Sequence, residues 1–303
     1  MKSVPGPRAA AGRRSPECFA LAGALFIRAS VLECASPLAL LHRLCHGRSI
    51  FFALLFLFST LLTQADPTNT LSGAEVQGRA LVGKILAQPP ASNCTNSGVL
   101  LIRSGSSPRL EIPVEFKVFA NPANWQAVYS ARFTNQIDGT SNWDRTRIAE
   151  LVVIHAWDQR NLYKIPNPGA PAVATNSFGP LTDDQLMLSF AGSDFALGDL
   201  GLEFFHWPQQ KVVKREFHRQ CACMVLESTN PDPSASGYSR VVSWIDEDSL
   251  GIVEAYAYDV NGRKLKNFYP KNFEKVNGAY QVESMVMENL QTGSRSTFEF
   301  DLH

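Results

Sequence analysis

Several things are scarce in this chain, and each scarcity excludes something. There is no G-x-S-x-G elbow, no S-x-x-K, no phosphate-cradling P-loop, no G-x-G-x-x-G and no H-E-x-x-H. The common nucleophilic, nucleotide-dependent and zinc-dependent chemistries therefore have no foothold in the sequence. No basic tract is present, and Lys+Arg and Asp+Glu balance at 28 each. Phosphate contacts need clustered Lys and Arg, so nucleic acid is not an expected partner. Histidine is sparse: past residue 65 only His155, His206, His218 and His303 remain, scattered along the chain. Internal repeats and low-complexity segments are absent too.

The charge balance hides an asymmetry. Residues 1–65 carry seven basic and two acidic residues, leaving 21 basic against 26 acidic from residue 66 onward, a net −5. The stretch RSIFFALLFLFSTLLTQAD accounts for it. Arg43, His46 and Arg48 precede an apolar run from Ile50 to Leu62, and Thr63-Gln64-Ala65 follows. This is the layout of a secretory signal peptide, spanning 48–65, with cleavage expected after Ala65. The run of about 13 residues falls short of the roughly 20 that span a bilayer as a helix. No Cys stands just after the run, so the exported chain does not read as a lipoprotein itself. Residues 1–47, with Pro5, Pro7, Pro16 and Pro37, read as a disordered extension or as sequence upstream of the true translation start. The domain expected to fold is 66–303.

Only three cysteines lie in that domain, Cys94, Cys221 and Cys223. An odd number in an exported chain leaves at least one thiol unbridged within the chain. Cys221 and Cys223 are two apart in a predicted strand and share a face, with Cα atoms about 6.6–6.8 Å apart, at the upper limit for a disulfide. A bridge from Cys94 to one of them, or three buried thiols, are the alternatives. His218 with this pair is the best metal-like cluster, but its spacing departs from that of paired zinc ligands and reads as structural. Asp183-Asp184 reads as a helix cap and Asp246-Glu247-Asp248 as a turn, rather than as acid/base machinery.

What the chain has in abundance is alternation. In RLEIPVEFKVFANPANWQAVYSARF (109–133), Leu110, Ile112, Val114, Phe116 and Val118 alternate with polar residues, and Trp125, Tyr129 and Phe133 continue the pattern. Such alternation marks strands with one wet and one dry face. Strand-like segments also cover 98–103, 147–157, 161–165, 211–218, 223–229, 238–246, 251–259, 263–276, 279–290 and 296–302, with turn signals at 230–237, 246–249, Asn261-Gly262, Asn277-Gly278 and 291–293. Asn-Gly between alternating runs is a strong hairpin signal. Residues 71–87 predict a helix, capped by Ser72 with Glu75 three residues on. Short helices are predicted in 181–190 and 194–208, the latter ended by Pro208, with a loop over 166–180. The sum is a mainly β single domain with a few helices: one antiparallel sheet of about eleven strands, long enough to curl.

Residues 191–303 carry a further pattern: Gly192-Ser193-Asp194-Phe195, Asp199-Leu200, Tyr238-Ser239-Arg240-Val241-Val242-Ser243-Trp244-Ile245-Asp246, Glu254-Ala255-Tyr256, Asp259-Val260-Asn261-Gly262-Arg263-Lys264-Leu265, Met285-Val286-Met287-Glu288-Asn289 and Gln291-Thr292-Gly293. It resembles the outer membrane lipoprotein-sorting protein family, whose fold is similar to the periplasmic lipoprotein carrier LolA. The resemblance implies a half-open β-barrel with short lid helices over its concave side. It implies a periplasmic, non-enzymatic protein that carries or chaperones lipoproteins or lipids by holding their acyl chains, with no cofactor and no metal. Its partners would be those acyl chains and a membrane transporter or outer-membrane receptor. The cavity candidates are Leu110, Ile112, Val114, Phe116, Val118, Trp125, Tyr129 and Phe133, and Arg103 or Arg132 would stand at the mouth. The alternative within this fold is a lipid-sensing or protein-interaction module.

Overall fold

In a computed structural model, the described residues are 71–90, 93–121, 124–133, 148–156, 159–165, 181–235, 237–276 and 279–301. The predicted extension, signal peptide, 166–180 loop and Asn277-Gly278 turn lie outside them.

The chain begins with helix α1 (Gly73–Leu86). Ser72 caps it and Glu75 returns the bond to the Ser72 backbone at 2.7 Å. Then come β1 (Cys94–Arg103), β2 (Leu110–Phe119), β3 (Asn124–Ala131), β4 (Glu150–Ala156) and β5 (Leu162–Lys164). A covering segment follows, with single-turn helices α2 (Asp183–Leu186) and α3 (Leu197–Leu200) and a 3-10 turn over Glu203–His206. The chain closes with β6 (Gln209–His218), β7 (Cys221–Thr229), β8 (Arg240–Asp246), β9 (Ile252–Tyr258), β10 (Lys264–Val276), β11 (Ala279–Asn289) and β12 (Arg295–Phe300).

The twelve strands of the described residues form one sheet, in the order β5-β4-β3-β2-β1-β12-β11-β10-β9-β8-β7-β6. Every neighbouring pair is antiparallel. The sheet is a curled, open half-barrel, one strand larger than the alternation suggested. Two meanders meet where β1 pairs with β12, and β5 and β6 are left as the edges. Edge β6 carries a register shift between Val212 and Lys214, a device that discourages further pairing. Helix α1 packs on the start of β6, so closely that a Cβ on Gly78 would lie 2.4 Å from the Gln210 carbonyl oxygen.

The core lies between the inward face of the sheet and the covering segment. Phe190, Phe195, Leu197 and Leu200 of that segment are at most 1% exposed. They meet Leu100, Ile112, Val118, Leu226 and Ile245 of the sheet in one cluster. The predicted helices of 181–190 and 194–208 are reduced to single turns. Positive φ at Ala191, Gly192 and Leu202 bends the backbone around each of them.

Among the described residues the three cysteines, Cys94, Cys221 and Cys223, are thiols and all are buried. Cys94 belongs to the main core, whereas Cys221 and Cys223 pack with Val253 and Trp244 on the opposite face. Of the two alternatives left by the sequence, buried thiols is the one adopted.

Candidate functional site

Strands β2 and β3 place their apolar sides together. Register sets Val114 opposite Ala131, Phe116 opposite Tyr129 and Val118 opposite Ala127. The Phe116 and Tyr129 rings stand 4.9 Å apart. Ile112, Val114, Phe116, Val118 and Tyr129 are all buried. The Tyr129 hydroxyl donates to the Leu200 carbonyl at 3.1 Å, joining the sheet to α3. Trp125 stacks on His155 with ring centroids 3.8 Å apart, and Phe133 packs partly buried against the core. Leu110 differs: it is the first residue of β2 and is 36% exposed. Alternation gave it the right face, but the strand end leaves it at the rim.

The covering segment is held by discrete polar latches. At its first turn, Asp194 accepts from the Ser294 hydroxyl and from Ser296 at 2.7 Å, while its own N–H donates to Ser296 at 2.9 Å. Both serines belong to the β12 end of the sheet. Phe195 then wedges against Phe298, centroids 4.8 Å apart. In the middle, Asp199 accepts from the Ala196 N–H at 2.8 Å, the Tyr238 hydroxyl at 3.2 Å and the Lys266 ammonium at 3.2 Å. At the far end, buried Glu203 accepts from Arg160 at 2.7 Å, Tyr163 at 2.9 Å and Asn161 at 3.2 Å. Burial raises the Glu203 carboxyl above its ordinary value in spite of Arg160. Asn161 also donates to the Gly201 carbonyl at 2.7 Å. Gly201 must be glycine, because a Cβ there would lie 2.2 Å from the Tyr163 hydroxyl.

Small cavities border this cover, and three of them lie against strands of the sheet. One lies against β8–β11, with about 410 Å³ of free space including its mouth, lined by Phe195, Phe204, Val241, Phe268 and Met287 together with Asp199, Tyr238 and Lys266. A second, about 320 Å³, lies against β1–β3 and β12, among Val114, Phe116, Tyr129, Phe190 and Phe298 with Asn96. The third, about 490 Å³, is bounded by Trp125, His155 and His206 and by Ile85 and Leu86 of α1. Burial depresses the His155 imidazole to about 3 and that of His206 to about 4. Both rings are neutral at neutral pH.

The predicted site residues thus divide. Val114, Phe116 and Tyr129 meet at the second cavity and Trp125 at the third, while Ile112 and Val118 are closed core. Arg132 pairs at 3.1 Å with Glu115, a carboxylate that borders the second cavity, and does not line that cavity itself. The cations that bind carboxylates of the cover are Lys266 and Arg160, neither of which is marked by a sequence pattern. Asn96 carries no strand signal either, because Asn is depleted in strands and the alternation begins only at Gly98.

On the opposite face, His218 binds Glu254 at 2.7 Å and stacks on Trp244, and Arg219 binds the same carboxylate at 2.8 Å. Cys223 is pushed up to about 12 by burial first, with Cys221 adding. No group of three metal-ligating side chains is found among the described residues.

Solved structures share this architecture. A DUF1329 family protein from Desulfovibrio piger aligns at 18% identity over 76% of this chain and 92% of its own, with a TM-score of 0.55. A domain from Vibrio parahaemolyticus named for outer membrane lipoprotein sorting aligns at 16% identity over 75% of this chain and 91% of its own, with a TM-score of 0.57. A LolA superfamily protein from Nitrosomonas europaea aligns at 16% identity over 76% and 92%, with a TM-score of 0.48. A family model described as "Uncharacterized protein" matches residues 174–302, less than half of the chain. No curated protein matches it in sequence. The fold is the one shared by the Desulfovibrio and Vibrio domains, a mainly β, single curled antiparallel sheet of the kind expected from the sequence.

Proposed function

We propose that this is an exported, periplasmic binding protein that carries or shields acyl chains of lipoproteins or lipids between its concave sheet face and the covering segment. The observation that carries the reading is the design of the cover. Its apolar side chains lie on an apolar sheet face with cavities left between them, and its polar attachments are concentrated at Asp194, Asp199 and Glu203. Release of these latches, together with the Tyr129, Asn161 and Gln210 bonds to the cover's backbone, would open the apolar sheet face to a guest. Each acyl methylene placed there yields about 0.8 kcal/mol, so tight binding needs no catalytic group. The named role of the Vibrio domain in lipoprotein sorting supports the same reading. Delivery would engage a membrane transporter or an outer-membrane receptor.

The test is native mass spectrometry of the protein purified from the periplasm, with solvent extraction of whatever copurifies, followed by titration with a synthetic lipopeptide. Copurifying lipid or acylated peptide, lost in Phe116→Arg, is the expected result. A protein that is empty and binds no added lipopeptide would sink the carrier reading and leave the protein-interaction module.

A further inference from the structure

Lys266 carries the one charge that the sheet itself turns toward the cavity under α3. It stands on β10 opposite Ala257 of β9, and the sheet wall around it is apolar, with Val241, Ala255, Phe268 and Met287 among its side chains. Its ammonium lies 3.2 Å from the Asp199 carboxylate and 5.5 Å from the centre of the Tyr238 ring, and the Lys266 and Asp199 side chains are only 12% and 10% exposed. The other two attachments of the cover differ. Asp194 is held by serine hydroxyls, and Arg160, the cation on Glu203, has a side chain that is 48% exposed. The cation that faces the apolar interior is the one under α3.

A buried ion pair is a poor device for stability alone. Desolvating two charges offsets most of their attraction, and an apolar pair of similar volume often holds as well; the best-attested use of such a pair is as a register or a switch. What faces Lys266 tells which use this is. On α3 the Asp199 carboxylate is flanked by Leu197 and Leu200, both 0% exposed, with buried Phe195 just before them. The covering segment thus presents to the sheet an anionic group set among apolar ones, which is also what an anionic amphiphile presents. We infer that Lys266 is the headgroup contact of the acyl site, that the site takes amphiphiles with an anionic headgroup, and that Asp199 holds this contact in the closed cover as a built-in stand-in for the guest. This rests on the acyl-binding reading above and adds to it the charge of the headgroup and the residue that meets it.

The guest is taken up in place of the cover's own side chains, not in the small space left beside them. As α3 lifts, the headgroup replaces Asp199 on the ammonium, and the alkyl chain takes the sheet face that the cover's apolar residues leave. One ion pair is exchanged for another, whereas a neutral headgroup leaves the ammonium unpaired beside the chain. A ligand shifts an equilibrium between closed and open only by its differential affinity for the two states, and the anion supplies that difference. The expected preference for an anionic over a neutral headgroup is on the order of tenfold, or about 1.4 kcal/mol, and a hydrogen bond to a charged group supplies at least that much.

The experiment uses the exported protein at pH 8, with the neutral dye N-phenyl-1-naphthylamine as reporter and dodecanoate, monododecyl phosphate and dodecanol as competitors. Wild type is compared with Asp199→Asn, which removes the stand-in, and with the double variant Asp199→Asn, Lys266→Met, which removes both charges and strands neither. The expected result has three parts: an anion binds wild type about tenfold tighter than dodecanol, Asp199→Asn binds that anion several-fold tighter still, and the double variant brings anion and dodecanol to near parity. The tighter of the two anions tells a free carboxylate from a lipid phosphate as the headgroup. Dodecanol binding as well as both anions in wild type overturns the inference while the carrier reading stands. A preference that survives the double variant also overturns it, by placing the headgroup contact elsewhere. Anion binding unchanged or weakened in Asp199→Asn overturns the stand-in role of Asp199. Binding of neither the reporter nor any competitor removes the carrier reading and this inference with it. Should the double variant fail to fold, Lys266→Gln is read in its place by the same criteria, and the wild-type comparison already decides whether the preference exists.

Discussion

The two cavities nearest the middle of the cover are walled by the same kinds of side chain and differ in their polar groups. Against β8–β11, Lys266, Tyr238 and Asp199 satisfy one another and hold α3 down. Against β1–β3, the Asn96 amide has no hydrogen-bond partner among the described residues. One polar set is a fastening and the other is unspent. A polar residue in an apolar wall therefore has two uses, and the hydrogen-bond partners of each group tell them apart.

Substitutions should separate the two cavities sharply. The largest effect is expected from Lys266→Met. It strands the mostly buried Asp199 carboxylate without its cation, a change that typically costs about 3–5 kcal/mol, readable by urea denaturation. Asp194→Ala should cost less, about 1–3 kcal/mol, because it leaves two serine hydroxyls without their acceptor. It should also speed hydrogen exchange in the covering segment. If exchange there stayed at the wild-type rate, Asp194 would not be a latch.

Acid should act at the third cavity. The folded values of His155 and His206, about 3 and about 4, lie below the free histidine value near 6.5. Their contribution to stability is complete above pH 6.5 and is lost as pH falls toward those values. The loss is about 1 kcal/mol per histidine one pH unit below the free value. Buried Glu203, raised instead, works in the opposite sense: the fold prefers its protonated form, so its contribution falls as pH rises past the ordinary carboxyl value. The two histidines outweigh it between pH 6.5 and 5, so the melting temperature should drop on acidification and Trp125 emission should change with it. His155→Gln should flatten that slope, and an unchanged slope would refute the assignment. The smallest effect belongs to Asn96→Leu, which removes an unpaired amide for a residue of similar shape. Its stability should stay within about 1 kcal/mol of wild type or rise.

The sheet was legible because alternation is a local property, and it placed Ile112, Val114, Phe116 and Val118 on the inward face correctly. It was least legible where strands carry polar residues. Asn96 in β1 and Gln210 in β6 lie beyond the predicted strand starts, yet both are buried. Gln210 accepts from Ser228 at 2.7 Å and donates to the Phe204 carbonyl at 2.9 Å, so its strand position depends on partners far along the chain. The latches were illegible for the same reason. Asp199 and Lys266 are 67 residues apart, and no spacing rule joins them. The exposed rim position of Leu110 was hidden because periodicity reports a face and says nothing about how far the cover extends.

The sheet order ends at β5 and β6 without joining them. A closed barrel has a girth fixed by its strand count and stagger. Here the girth is free, because no ladder of backbone bonds has to break for the two margins to move apart. Guests of different bulk can then be admitted by one protein through a change in curvature, with the hydrogen-bonded fabric of all twelve strands left whole.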